Sequence, residues 1–219
     1  FSDQYKTFTC CVGSGMESHS KYVEAIYNET ESGDLFVNLF IPSELNWEKR
    51  GASIKLETGF PYDNKVHLGV NLKKSQAFTI LIRQPEWAKG GIAVSVNGKP
   101  VKTIANTFGY LEIKRKWESN DKIEITLPME LHIESMPDNA DRIAFLYGPI
   151  VLAADLGDSL PDPVLGTPVL LTDNRNVKDW VKPVDLKTLT FETKGIGQPK
   201  DITLKPFYTL YNKYYSVYF

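Results

Sequence analysis

Much of this chain alternates apolar and polar residues with a period of two, and no other feature limits the fold as strongly. Ile54/Leu56, Val66/Leu68/Val70, Phe78/Ile80/Ile82, Ile92/Val94/Val96 and Ile123/Ile125/Leu127 each interleave with polar neighbours. Successive side chains of a strand point to opposite faces, so such runs bury one face and wet the other, as antiparallel strands do. Asn97-Gly98, between Val96 and Val101, is a hairpin signal because both residues tolerate positive φ. Short strands separated by turn residues point to β-sandwiches. With 219 residues, 42% apolar and 12% aromatic, the chain can bury a sizeable core.

Around this β pattern the sequence predicts a few distinct elements. Met16, Val23, Ile26 and Tyr27 fall near helical spacing within Ser14 to Asn28, while Ser20, Lys21 and Glu24 occupy another face. Leu35 to Ile41 reads as a buried strand ending at Pro42, and Ala144 to Ala154 as a strand with a bulge or kink at Gly148-Pro149. Gly157 to Pro168 reads as a loop, and late strands are expected at Leu189–Glu192, Ile202–Leu204 and Tyr214–Phe219. The fold class is therefore mainly β: one N-terminal helix, then two antiparallel β-sandwich domains, with segments 1–30, 31–133 and 134–219.

Charge and hydropathy exclude some partners. With 25 basic against 27 acidic residues, a net charge of −2 and no basic block, nucleic acid is not an expected partner. No apolar run reaches the ~20 residues of a membrane helix, and Phe1 opens a folded-looking segment without a leader pattern. The absence of an initiator Met suggests a piece of something longer.

The chemistry to explain is Cys10-Cys11, the only two cysteines. A disulfide between neighbours closes a strained ring, and neither thiol has a distant partner. Ser14, with Glu17 three residues on, reads as a capping box, which places both cysteines just upstream of a helix N-terminus. The positive end of a helix dipole favours a thiolate, and zinc prefers thiolates. Tetrahedral zinc takes about four ligands, so two sulfurs need help from elsewhere. The bland alternative is that one or both are small buried hydrophobes.

Other candidates are weaker. His19, His67 and His132 are far apart in sequence and read as structural or surface residues. Trp47, Trp87 and Trp117 would suit a sugar-stacking platform, although core packing is the commoner fate of tryptophans. Tyr208, Tyr211, Tyr214, Tyr215 and Tyr218 fit ordinary closing strands. No Ser-His-Asp order, P-loop or dinucleotide fingerprint is present.

The string Cys10-Cys11-Val12-Gly13-Ser14-Gly15-Met16-Glu17-Ser18-His19-Ser20-Lys21-Tyr22, followed by Glu24-Ala25-Ile26-Tyr27, resembles the cysteine segment of bacterial β-L-arabinofuranosidases, glycoside hydrolase families 127 and 146. The stretches 35–43, 81–88, 127–131 and 145–153 agree with it. The resemblance implies that residues 1–30 are the end of a catalytic (α/α)6 barrel and that two β-sandwiches follow. It implies Cys10 as the zinc-bound nucleophile and Cys11 as a second zinc ligand. In that family the other ligands, a Glu-x-Cys motif, and the acid/base Glu lie upstream, and every glutamate here lies beside or after the cysteines.

Further expectations follow from the resemblance. The parent would be a retaining, zinc-dependent hydrolase of arabinofuranoside-containing glycans, and the chain by itself would be inactive and hold no stable zinc. Its partners would be that carbohydrate and the upstream barrel, with a homodimer left open. Its compartment would be periplasmic or secreted, with the cytoplasm as the alternative. The rival reading is an accessory carbohydrate-binding sandwich module without a catalytic role.

Overall fold

The computed structural model describes residues 9–159 and 168–219. The expectations for Phe1 and for the central part of the loop at 160–167 lie outside the described residues. Two compact units divide between Leu127 and Pro128, whereas the sequence reading drew its line at 133/134.

The first unit opens with α1 (Thr9–Ile26), followed by β1 (Tyr27–Glu29), β2 (Leu35–Val37), β3 (Ser43–Trp47), β4 (Ala52–Thr58), β5 (Lys65–Leu72), β6 (Gln76–Arg83), β7 (Ala93–Val96), β8 (Lys99–Pro100), β9 (Tyr110–Trp117) and β10 (Asp121–Thr126). The strands form a four-stranded sheet in the order β1-β2-β6-β9 and a six-stranded sheet in the order β3-β4-β5-β10-β7-β8. After β2 the chain builds β3 to β5 in the other sheet, then returns to pair β6 with β2 in parallel. The remaining pairs are antiparallel.

Register explains why the alternation folds as it does. Leu56 pairs with Leu68, Leu68 with Ile123 and Ile123 with Val96, so four strands present one apolar row to the core. In the facing sheet Leu35, Ile80 and Ile113 form one such row, and Val37, Ile82 and Leu111 another. A one-residue slip would turn a strand's row to solvent, which is why one buried face fixes register. Side chains from both sheets fill one shared core, the arrangement of a β-sandwich. At the hairpin, Asn97 has φ 52° and Gly98 φ 73°, and Val96 pairs with Lys99, as a two-residue type I′ turn requires.

The second unit comprises β11 (Leu131–Ser135), β12 (Ile143–Tyr147), β13 (Ile150–Gly157), β14 (Val169–Leu170), the single turn α2 (Val177–Trp180), β15 (Val181–Asp185), β16 (Thr190–Thr193), β17 (Gly197–Gln198), β18 (Thr203–Pro206) and β19 (Tyr214–Ser216). Its layers are unequal. Seven strands form a branched antiparallel sheet, β11-β12-β13-β18-β16-β15 with β19 also on β13, and β14 pairs with β17 alone. Phe145, Leu152, Phe191 and Leu204 fill the core beneath Val177 and Trp180 of α2.

Three local expectations are corrected. The run Ala144 to Ala154 is two strands joined by a hairpin, not one bent strand. Gly148 takes φ 54° and Tyr147 pairs with Ile150, so Gly148-Pro149 is a tight turn with glycine first, as type II′ takes it. The strand from Leu35 stops at Val37, because Asn38 turns its backbone and side-chain N–H groups to the carbonyls of Ile26 and Ala25 at the end of α1. Finally, α1 already includes Thr9, so Ser14 is a helix-interior residue and not a cap. Its hydroxyl donates to the Cys10 carbonyl at 3.0 Å.

Candidate catalytic cysteine pair

Cys10 and Cys11 stand in the first described turn of α1, both exposed and both free thiols. The helix itself, not a loop before it, presents them to solvent, and within this chain neither thiol is buried. Neighbouring side chains on a helix diverge by about 100°, yet the two sulfurs lie 3.6 Å apart. That is far longer than the ~2.05 Å of a disulfide. It is close to the ~3.8 Å edge of a tetrahedron whose metal–sulfur bonds are ~2.3 Å. The pair therefore has the spacing of two ligands on one soft tetrahedral metal.

The rest of such a site is not built from the described residues, among which no group of three or more His, Cys, Asp or Glu converges. His19 Nδ1 lies 2.8 Å from the Gly15 carbonyl, and its ring sits 5.5 Å from that of Tyr22. His67 faces Glu124 at 3.7 Å on the six-stranded sheet. His132 Nδ1 lies 3.3 Å from the Glu130 carbonyl, in the second unit. Glu24 makes an exposed ion pair with Lys21 at 3.6 Å.

The tryptophans offer no sugar platform. Trp47 and Trp117 are buried in the first core, with indole N–H groups donating to Glu29 at 3.1 Å and to the Phe78 carbonyl at 3.0 Å. Trp87 lies half-buried against Phe60, the rings 6.3 Å apart and nearly parallel. The tyrosines near the C-terminus are exposed, not packed away as closing-strand residues. No described helix is long and apolar enough to cross a membrane.

One feature escaped the sequence reading. On the outer side of the four-stranded sheet, Phe36, Leu81, Phe108 and Tyr110 line a cleft of about 560 Å³, joined by Asn28, Asn38 and Asn106. The Phe108 ring is 84% exposed at the tip of a turn whose backbone is fixed by Asn106 Oδ1, the acceptor for Phe108 N–H and Tyr110 N–H. An aromatic residue between a turn-forming Asn and Gly109 was the available signal.

Comparisons with known proteins find this chain similar to part of several glycoside hydrolases. Residues 34–129 match the model of the β-L-arabinofuranosidase, glycoside hydrolase family 127 middle domain. The non-reducing end β-L-arabinofuranosidase of Bifidobacterium longum subsp. longum is 23% identical over 93% of this chain, which spans 35% of that enzyme. The crystal structure of a family 127 β-L-arabinofuranosidase from Geobacillus stearothermophilus T6 superposes with a TM-score of 0.72 at 24% identity, covering 91% of this chain and 35% of its own. A solved β-arabinofuranosidase of family 127 gives 0.60 at 26% identity, with 88% and 35% covered. The chain thus resembles the C-terminal, non-barrel portion of these enzymes and spans about a third of their length.

Proposed function

We propose that this chain is the C-terminal portion of a zinc-dependent, retaining β-L-arabinofuranosidase-like glycoside hydrolase in which Cys10 is the nucleophile. The observation that carries the reading is the exposed thiol pair, its sulfurs 3.6 Å apart on α1, directly preceding the segment that matches the family 127 middle domain. Cys10 and Cys11 would hold the zinc, and the upstream part of the protein would complete its ligands. Bound there, the metal keeps sulfur deprotonated at neutral pH.

The reaction then follows from the thiolate and an acid outside this chain. Cys10 Sγ attacks the anomeric carbon while the glycosidic C–O bond breaks and the leaving oxygen takes a proton from the upstream carboxylic acid. The resulting thioglycoside is hydrolysed by water, whose proton returns to the same carboxylate, and the C–S bond breaks to restore the thiolate. Two displacements at one carbon retain its configuration. By itself the chain lacks the acid and half the ligands, and is inactive.

Zinc content and hydrolysis of p-nitrophenyl β-L-arabinofuranoside test this on the chain and on the protein extended upstream of Phe1 to the length of its relatives. Metal and activity are expected only in the extended protein. Cys10→Ser there is expected to abolish turnover and Cys11→Ser to release zinc. An active Cys10→Ser protein refutes the assignment.

A further inference from the structure

The outer face of the six-stranded sheet carries two clefts, one after the other along β5. The first, of about 500 Å³, lies over Gly69 and is walled by Glu57, His67, Ser95, Lys122 and Glu124. The second, of about 620 Å³, has Asn46, Ser53 and Asn71 around it. Register joins them. Asn46 pairs with Ser53 and Ser53 with Asn71, the next row crosses Lys55, Gly69 and Lys122, and the row after that Glu57, His67 and Glu124. Positions 67, 69 and 71 therefore share one face of β5 and span about 13 Å at ~3.3 Å per residue.

Gly69 is a residue that folding does not ask for. It sits in the middle of β5, with β4 on one side and β10 on the other, and its φ is not positive. A Cβ built on it would meet nothing nearer than the Lys55 carbonyl oxygen at 4.0 Å, an ordinary contact. Neither backbone conformation nor crowding requires glycine here, and glycine is among the poorest strand residues. What its missing side chain leaves is the floor of the first cleft, where a ligand can approach the backbone.

The chemistry around that floor suits a polyol. Lys55 pairs with Glu57 at 2.8 Å and Lys65 with Glu124 at 3.2 Å, so the charges of the face largely offset one another and favour a neutral ligand. Ser53, Asn71, Ser95 and Lys122, by contrast, make no side-chain hydrogen bond or ion pair among the described residues. Their hydroxyl, amide and ammonium groups offer both donors and acceptors, the mixture that the hydroxyls of a sugar can use. Leu68 and Ile123 turn into the core, so the first cleft gives a partner's apolar side chains nothing to bury against. We infer that this face binds a neutral oligosaccharide, laid along β5 from His67 to Asn71 with Gly69 beneath it. The choice of an arabinose-containing sugar rests on the reading of the chain as part of an arabinofuranosidase-like enzyme.

Titration of the chain with arabino-oligosaccharides, followed by calorimetry and by amide chemical shifts, tests this. Saturable binding is expected, with the largest shifts at Ser53, Gly69, Asn71 and Lys122. Gly69→Thr fills the floor with a good strand former, so it is expected to weaken binding at least about tenfold without lowering the urea midpoint. Asn71→Ala, at an exposed position, is expected to weaken binding about fivefold through the loss of one hydrogen bond. No binding overturns the proposal, as does binding that both variants leave intact. So does an oligogalacturonate that binds where the neutral sugar does not, since the ligand is then an anion held by Lys122. Turnover of p-nitrophenyl β-L-arabinofuranoside by the extended protein is read separately: turnover without binding by the chain removes only this site, and binding without turnover removes only the proposed function.

Discussion

Trp117 separates a core role for the tryptophans from a sugar-binding one. Its side chain is fully buried, its N–H donates to the Phe78 carbonyl at 3.0 Å, its ring lies 5.9 Å from that of Phe78, and Arg115 stacks on it at 5.2 Å. Trp117→Phe retains an aromatic ring for those contacts but leaves the Phe78 carbonyl without its donor, a loss of about 1–3 kcal/mol. With a urea m-value of about 1–3 kcal/mol per molar, the unfolding midpoint of the first unit should fall by roughly 1 M. Trp117→Ala removes the whole ring, costing about 3–5 kcal/mol in all. That is a large share of the ~5–15 kcal/mol that holds a domain folded, so the midpoint of the first unit should fall further than with Trp117→Phe. Urea titration followed by far-ultraviolet circular dichroism, with hydrogen exchange to assign the transition to β6 and β9, measures both. A Trp117→Ala chain with an unchanged midpoint and weakened binding to arabino-oligosaccharides would refute the reasoning.

Three further outcomes follow from particular contacts. Asp201 accepts hydrogen bonds from Thr193 Oγ1 and from the N–H groups of Gly195 and Gly197, which, Thr193 foremost, hold its pKa below the ordinary carboxylate value. Its contribution is complete above the unfolded pKa of about 3.9 and is lost as pH falls through the lower folded value, so Asp201→Asn should destabilise at pH 7 and flatten the melting profile below about pH 4. Gly98→Ala places a side chain at φ 73° with open space around it, so only backbone strain of about 1–2 kcal/mol is expected, read as a lower melting temperature. Gly13→Ala meets nothing within 4 Å and should stabilise α1 by about 1 kcal/mol, read as greater helical ellipticity in the chain.

The first unit was legible because its strands bury one face each. Val66, Leu68 and Val70 are buried while Lys65 and His67 are exposed, so the period of two in the sequence is the pattern of contact. Asn97-Gly98 was legible for an equally local reason, since few residue pairs accept two positive φ angles. Gly148-Pro149 was misread because apolar residues continue on both sides, and a hairpin of buried strands has the same composition as one long strand. The helix start was misread because Ser and Glu at capping spacing also occur inside helices. Only the Ser14 hydroxyl, donating backward to Cys10, tells the two apart. The parallel pairing of β2 with β6 is a non-local fact, set by a chain that crosses to the other sheet and returns.

The cysteine pair was legible in the sequence as a candidate, and what the structure adds to it is its exposure and spacing on α1. Two adjacent cysteines announce soft-ligand chemistry from sequence alone, and their 3.6 Å spacing fits one edge of a metal tetrahedron. Among the described residues no further His, Cys, Asp or Glu converges on the pair, and partners brought together only by folding leave no pattern in sequence spacing. What this chain does contribute is an orientation. α1 carries Cys10 on a polar stripe and Val12, Met16 and Val23 on an exposed apolar one. The Asn38 hydrogen bonds to Ala25 and Ile26 restrict rotation at its C-terminal end, where the first sandwich begins. On the proposed reading, the sandwich serves catalysis by clamping the helix that aims the nucleophile.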